Sequence, residues 1–127
     1  MQQVAVLGAS AKPERYSYQA VALLKAAGHT VYPVHPALDT LQGLTVHHRL
    51  SDIPQALDTV TVYLSPQHSS GLTAEIVAAR PRRVIINPGA ENPDLARALT
   101  AAGIAVVEAC TLVLLRTGQF EDAAGTD

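Results

Sequence analysis

The stretch QVAVLGAS at residues 3–10 decides the fold, because an apolar run is followed directly by a glycine, a small residue and a hydroxyl. The next loop carries two cations, Lys12 and Arg15, and a segment of helical spacing follows it. A buried strand, a glycine turn and a helix N-terminus in this order form anion sites in α/β proteins, since backbone N–H groups and the helix dipole point to the ligand. We predict a phosphate-binding turn here. The alternative is an ordinary first turn, in which Gly8 only lets the chain bend.

Strand-like and helix-like segments alternate along the rest of the chain. Four more apolar or β-branched runs predict strands: residues 30–34, 59–64, 83–86 and 104–107. Helical spacing and capping signatures predict three helices, with Ser17, Ser65 and Asn92 as N-caps: residues 17–27, 66–79 and 93–103. Residues 111–116 fit either a strand or a helix. The alternation predicts an α/β fold with a Rossmann-like, doubly wound parallel sheet of about five strands. We expect one domain over residues 1–120 and a flexible tail at residues 121–127.

Composition argues against several classes of protein. The 127 residues are 48% hydrophobic but 4% aromatic, so Val, Leu, Ile and Ala must form the core, as in a parallel sheet covered by helices. The chain has 9 Lys and Arg residues and 11 Asp and Glu residues, which gives a net charge of −2. A nucleic-acid binder carries an excess of basic residues, so this composition argues against that class of protein. The pair Arg82 and Arg83 precedes a strand, at the end opposite to a ligand cleft, and is expected on the solvated surface.

Cys110 is the only cysteine in the sequence, which excludes an internal disulfide and a Cys-x-x-Cys zinc or redox motif. The apolar run at residues 3–7 is too short for a signal peptide, and no basic residue precedes it. No segment approaches the roughly 20 apolar residues of a membrane span. We therefore expect a soluble, cytoplasmic protein with no membrane partner.

The ends of the predicted strands carry most of the unusual residues. Ligands of parallel sheets bind beyond the carboxyl ends of the strands, which share one edge. These ends are residues 8–10, 34–36, 64–66, 87–89 and 108–110. A dinucleotide is the first candidate ligand, but only Gly8 remains of the Gly-x-Gly-x-x-Gly fingerprint and no acid ends the second strand. Lys12 does not stand in a Walker motif either, so a different phosphate-bearing ligand is predicted.

Four blocks of the sequence carry a resemblance to a known family: residues 8–10 with 15–17, residues 31–36, residues 87–92 and residues 107–112. On these blocks the chain resembles the small single-domain coenzyme A-binding proteins. It is similar to the N-terminal CoA-binding domain of the succinyl-CoA synthetase α subunit. The resemblance extends from about residue 3 to residue 120, and NPGAEN and EACTL are its specific parts. His35 departs from the family, which usually has asparagine at that position.

The resemblance implies a coenzyme A site at the strand ends. In the first turn and helix it involves Gly8, Ala9, Ser10, Lys12, Arg15, Tyr16 and Ser17, with Ser10, Lys12 and Arg15 on the phosphates. On the nucleotide side it places Val34, His35 and Pro36. Along the pantetheine or adenine path it places Leu64, Ser65 and Pro66, and along the thiol-bearing arm Asn87, Pro88 and Gly89.

Two residues after the last strand have two interpretations. Glu108 and Cys110 could border the CoA sulfur, where the thiol would form a mixed disulfide or sense the redox state. Alternatively, Cys110 is a small buried residue at a strand end, as free cysteines commonly are.

No complete catalytic constellation is found in the sequence. The adjacent His47 and His48 point to opposite faces of a strand, and no His-x-x-x-His pair occurs, so no metal site is predicted. Ser10 is not in a Gly-x-Ser-x-Gly elbow, and His68 is expected on the surface. We predict a CoA-binding carrier, sensor or regulatory module without catalytic residues. Two alternatives stay open: a partner-dependent enzyme subunit of acyl-CoA metabolism, and an NAD-type redox-sensing module.

Overall fold

Five parallel strands form the central sheet of the computed structural model, which describes residues 1–121. In chain order the strands are β1 (Gln3–Leu7), β2 (Thr30–Val34), β3 (Thr40–Leu41), β4 (Leu44–Thr45), β5 (Thr59–Val62), β6 (Arg83–Ile86) and β7 (Ala105–Glu108). The α-helices are α1 (Tyr16–Ala26), α2 (Pro66–Ser69), α3 (Thr73–Ala79), α4 (Pro93–Ala101) and α5 (Thr111–Arg116). Two 3-10 turns lie at Leu50–Asp52 and Ser70–Leu72. Apart from Glu121, the predicted flexible tail lies outside the described residues.

The sheet has the order β2-β1-β5-β6-β7, and every neighbouring pair is parallel. The chain leaves β1 toward one side of the sheet and continues from β5 toward the other, so the winding reverses between these two strands. Leu7 lies opposite both Val34 and Val62, which places three strand ends at one level. The prediction of a Rossmann-like, doubly wound sheet is confirmed.

Alternate side chains of β1 supply the hydrophobic cores on the two faces of the sheet. Val4 and Val6 belong to the core under α1 and α5, whereas Ala5 and Leu7 belong to the core under α3 and α4. All four are at most 3% exposed. Helices therefore cover both faces and leave the strand ends open. Within residues 1–121, none of the helices has the length and apolar character needed to cross a membrane.

The helical segments differ from the prediction in three places. The first helix begins at Tyr16 with Arg15 at the N-cap, so Ser17 is not the cap and is buried in the first turn. The predicted helix over residues 66–79 is divided into α2, a 3-10 turn and α3, because Gly71 and its serine neighbours are weak helix formers. Residues 111–116 form α5, which settles a segment that the sequence left open.

A short hairpin and a parallel bridge cover the outer edge of β2. In the hairpin of β3 and β4, residues 42 and 43 both have positive φ, as a type I′ turn requires. After the hairpin, the His47 N–H donates to the Pro33 carbonyl at 3.0 Å and the His35 N–H donates to the His47 carbonyl at 3.0 Å. This pairing brings residues 48–50 to the carboxyl end of β2.

The prediction that Arg83 lies on the solvated surface is wrong. Arg83 is 6% exposed, its Nε donates to the Thr59 hydroxyl at 2.8 Å, and its guanidinium lies 4.5 Å from the centre of the Phe120 ring. Arg82 is exposed as predicted and lies 3.6 Å from the Asp58 carboxylate. Phe120 covers Arg83 from a position 37 residues further along the chain, a contact that local sequence does not reveal.

We expect the protein to lose stability in mild acid through His29. This ring is 7% exposed, its Nδ1 accepts a hydrogen bond from the Gln2 N–H at 3.1 Å, and burial lowers its pKa, which the Glu121 carboxylate opposes only in part. Because the folded state favours the neutral ring, the unfolded chain binds more protons, and stability falls as pH drops below about 6.5.

Urea unfolding at about pH 7.5 and about pH 5.5 measures this effect. The wild type and His48→Gln, which changes an exposed ring, should lose more unfolding free energy on acidification than His29→Gln. Equal losses in all three proteins would exclude His29 as the source.

Candidate functional site

A cleft of about 580 Å³ opens where the winding of the sheet reverses, at the carboxyl ends of β1 and β5. Gly8 directly follows β1 with a φ of +91°, and a Cβ at this position would lie 3.0 Å from Cδ2 of Leu64. Both the backbone conformation and the space therefore require glycine. Its missing side chain lets the two strand ends approach closely at the base of the cleft.

Most of the predicted site residues line this cleft. From the first turn and α1 it receives Gly8, Ala9, Ser10, Arg15, Tyr16 and Ser17. From the other strand ends it receives His35, Pro36, Leu64, Ser65, Pro88 and Gly89. Six predicted residues are not in its wall: Lys12, Val34, Pro66, Asn87, Glu108 and Cys110.

The side of the cleft formed by the first turn is suited to an anion. Arg15 is the exposed N-cap of α1, and α1 has no acidic residue in its first turn. Across residues 1–121 the Arg15 guanidinium makes no ion pair. The Ser10 hydroxyl accepts a hydrogen bond from the Lys12 N–H at 3.1 Å, which fixes the turn and leaves the hydroxyl proton available. The helix dipole and the cation act in the same direction here.

His35 accepts the same local backbone hydrogen bonds that an asparagine side chain would accept at this strand end. Its Nδ1 accepts hydrogen bonds from the backbone N–H groups of Ala37, at 3.0 Å, and Leu38, at 3.1 Å. An asparagine side-chain oxygen makes the same contacts in an Asx turn. With Nδ1 as the acceptor, the neutral ring carries its proton on Nε2 and keeps one donor for a ligand.

Two residues of the cleft wall, Tyr63 and His68, were not predicted from the sequence. Burial raises the pKa of the Tyr63 hydroxyl to about 12, with the Thr111 side chain opposing in part, so the phenol stays neutral. The His68 Nδ1 and the Ser65 hydroxyl lie 2.9 Å apart. Ser65 therefore occupies the N-cap position of α2 without making a side-chain cap hydrogen bond. The pattern in the sequence that could have indicated this pair is a serine at the N-cap position with a histidine three residues later.

Asn87 does not line the cleft, and its side chain instead makes buried hydrogen bonds that hold neighbouring elements together. Its Nδ2 donates to the Thr61 hydroxyl at 2.7 Å and to the Val62 carbonyl at 2.8 Å, and its Oδ1 accepts from the Thr111 N–H at 2.9 Å. The side chain is 2% exposed. These hydrogen bonds join β5, the end of β6 and the start of α5 beneath the cleft.

Glu108 and Cys110 are likewise not in the cleft wall. Glu108 is exposed and borders a separate depression against α4. Cys110 is the half-buried N-cap of α5, and the thiolate form of its side chain would help to raise the pKa of the Tyr63 hydroxyl, so the sulfur lies near a residue of the cleft without lining it. Within residues 1–121, no group of three or more His, Cys, Asp or Glu side chains is arranged to hold a metal ion.

A second pocket of about 310 Å³ adjoins the cleft. The two share Gly8, Pro36, Leu64 and His68, so they adjoin, and together they are called the depression. The apolar residues of the second pocket are Leu7, Val34, Leu50, Leu64 and Leu72, and its ionisable residues are His48, Arg49, His68 and Glu75. Val34 was predicted from the sequence but residues 48–50 were not, because long-range pairing with β2 positions that loop.

Comparison with known proteins gives a family and related structures. Residues 2–116 match a family model described as CoA binding domain. A crystal structure described as an uncharacterized protein has 38% sequence identity and a TM-score of 0.89, covering 94% of this chain and 98% of that one. A structure from Thermus thermophilus has 30% identity and a TM-score of 0.86, covering 94% and 90%.

Among curated proteins, the uncharacterized protein YneT of Bacillus subtilis is 28% identical over 75 residues. The match covers 59% of this chain and 56% of YneT, so it spans little more than half of that relative. The two structures therefore share nearly the full fold, whereas the sequence match to YneT covers part of each chain.

Proposed function

This chain belongs to the CoA binding domain family, and we therefore propose that it binds coenzyme A or an acyl-CoA across the cleft and the adjoining pocket. We propose further that it does so in the cytoplasm as a non-catalytic carrier, sensor or regulatory module. The observation that carries the proposal is the match of residues 2–116 to that family, together with the depression at the reversal point of the sheet.

The shape and chemistry of the depression support this ligand. Coenzyme A combines a diphosphate, a flat adenine and a narrow pantetheine arm. In the proposed arrangement the diphosphate lies against the turn at residues 8–10 and Arg15, with Lys12, Tyr16 and Ser17 beside it. The apolar second pocket takes the adenine, between Val34 and Leu64. The other proposed contacts are His35, Pro36, Ser65, Pro66, Pro88 and Gly89.

Each of the three histidines around the depression has a local hydrogen-bond or ion-pair partner. His35 accepts two backbone N–H groups, the His68 ring lies 2.9 Å from the Ser65 hydroxyl, and the His48 Nε2 lies 3.0 Å from the Asp39 carboxylate.

Isothermal titration calorimetry with CoA, acetyl-CoA, NAD and ATP tests the proposal. We expect CoA or acetyl-CoA to bind and NAD to bind far more weakly. Binding of NAD without binding of CoA would overturn the proposal in favour of a redox-sensing nucleotide module. Native mass spectrometry of the purified protein shows in addition whether CoA is retained and whether it is attached covalently.

The Arg15→Ala variant should bind CoA about 5- to 30-fold more weakly, because a hydrogen bond to a charged group contributes about 1–2 kcal/mol at a partly exposed site. Lys12→Ala should have a smaller effect, since Lys12 is not in the cleft wall. Arg116→Ala is the matched control, because Arg116 is exposed at the far end of α5. Unchanged affinity in both Arg15→Ala and Lys12→Ala would show that this loop does not face the phosphates.

A further inference from the structure

The second pocket contains a cation, Arg49, that is not among the proposed contacts of the diphosphate. Arg49 lines this pocket together with its neighbour His48. The loop that carries them is fixed on both sides, since His47 pairs with β2 and Leu50 is 2% exposed in the core. The backbone of Arg49 is therefore held in place while its side chain is exposed.

The charges around Arg49 leave its guanidinium available. In the described part of the chain, Arg49 makes no ion pair. The Nε2 of His48 lies 3.0 Å from the exposed Asp39 carboxylate, so that imidazole is already engaged. Glu75 also lines the pocket and accepts a hydrogen bond from the Ser51 N–H at 2.9 Å through one oxygen. The pocket thus offers an apolar floor, a carboxylate acceptor and one uncommitted cation.

A 3′-phosphorylated adenosine matches these three features. The flat base suits the apolar floor between Val34 and Leu64, and its exocyclic amino group is a donor for the Glu75 carboxylate. The remaining group, a ribose phosphate, is the kind of anion that a planar guanidinium binds with two hydrogen bonds.

We propose that Arg49 binds the 3′-phosphate of coenzyme A and makes this site select the 3′-phosphorylated nucleotide over forms that lack that group. This inference rests on the proposed function. In coenzyme A one ribose links the 5′-diphosphate to the 3′-phosphate, so two neighbouring anion sites are needed. The walls at Gly8 and Pro36, which the cleft and the second pocket share, place Arg15 and Arg49 on adjoining parts of one depression.

The test compares CoA with 3′-dephospho-CoA by calorimetry on the full chain. The wild type should prefer CoA by about 10-fold or more, and Arg49→Gln should lose most of that preference by weakening CoA alone. Affinity for 3′-dephospho-CoA should change by less than about twofold in Arg49→Gln. Arg15→Gln should weaken both ligands by a similar factor, because both carry the diphosphate.

Arg116→Gln, at the end of α5, is the matched control and should leave both affinities unchanged. The thermal midpoint of each variant checks that it is folded. If Arg49→Gln weakens both ligands equally, or weakens neither, the assignment of Arg49 to the 3′-phosphate is wrong. The proposed function still holds in that case, provided that the wild type binds CoA. If the wild type binds neither ligand, the proposed function fails and the assignment fails with it.

Discussion

The Asn87→Ala variant is expected to lose about 3 kcal/mol of unfolding free energy, because it removes a buried carboxamide that holds three other groups. The Thr111 N–H at the start of α5 loses its acceptor, and the Thr61 hydroxyl and the Val62 carbonyl each lose a donor. The Thr111 N–H is the group left without this acceptor, at a cost of about 1–3 kcal/mol, whereas the Thr61 hydroxyl keeps the Thr111 hydroxyl at 2.8 Å and the Val62 carbonyl keeps the Asn87 N–H at 3.3 Å. The other lost hydrogen bonds and a small cavity add to the loss. Urea unfolding of the purified variant measures the change.

Glu91→Ala is the control for this substitution. Glu91 lies in the same loop, is exposed, and accepts a single hydrogen bond from the Gly89 N–H at 2.8 Å. It should change stability by less than about 1 kcal/mol. If Asn87→Ala proved equally mild while CoA affinity fell sharply, Asn87 would be a direct ligand contact, as the sequence predicts, and not a structural residue.

The Gly8→Ala variant is expected to lose about 2–3 kcal/mol of stability and at least about 10-fold in CoA affinity. A φ of +91° is strained for any residue with a side chain, at a cost of about 1–3 kcal/mol. The added methyl would also lie 3.0 Å from Cδ2 of Leu64 and 3.3 Å from the backbone carbonyl carbon of Tyr63. The leucine can rotate but the backbone directly after β5 cannot, so we expect the strand ends to separate and the cleft to change shape.

Gly71→Ala is the matched control, since a Cβ at Gly71 meets nothing within 4 Å and its φ is not positive. It should stay within about 0.5 kcal/mol of the wild type and bind CoA normally. The thermal midpoint and calorimetric titration of both variants provide the two measurements. Equal stability and affinity in the two variants would contradict the role given to Gly8.

The fold was predictable because its signals are local. In the stretch at residues 3–10 a buried strand is followed directly by a glycine turn, and the other strands are short apolar runs between helical segments. The match of residues 2–116 to the CoA binding domain family also confirms the resemblance inferred from the sequence blocks. The Asn92 cap was predictable for the same reason, and its side chain accepts a hydrogen bond from the Leu95 N–H at 3.3 Å.

The candidate site was predictable only in part. Topology gathers the strand ends at one edge, but it does not decide whether a side chain there faces the cleft, as Pro88 does, or turns into the sheet, as Asn87 does. Arg83 is buried by Phe120 and Arg49 is placed by the pairing of His47 with β2, and both contacts join segments that are separate in sequence. Whether the cleft binds CoA through these residues stays a prediction for the experiments above.

The bridge between His47 and Val34 also affects which edge of the sheet is open to a further strand. A sheet margin with free backbone amides is a template on which another copy can add a strand. At the β2 edge, the His47 backbone is hydrogen-bonded to the Pro33 carbonyl and to the His35 N–H, and Pro33 has no backbone N–H. Addition of a strand at β2 is thereby disfavoured, whereas β7, the opposite edge of the sheet, carries no such bridge among the described residues.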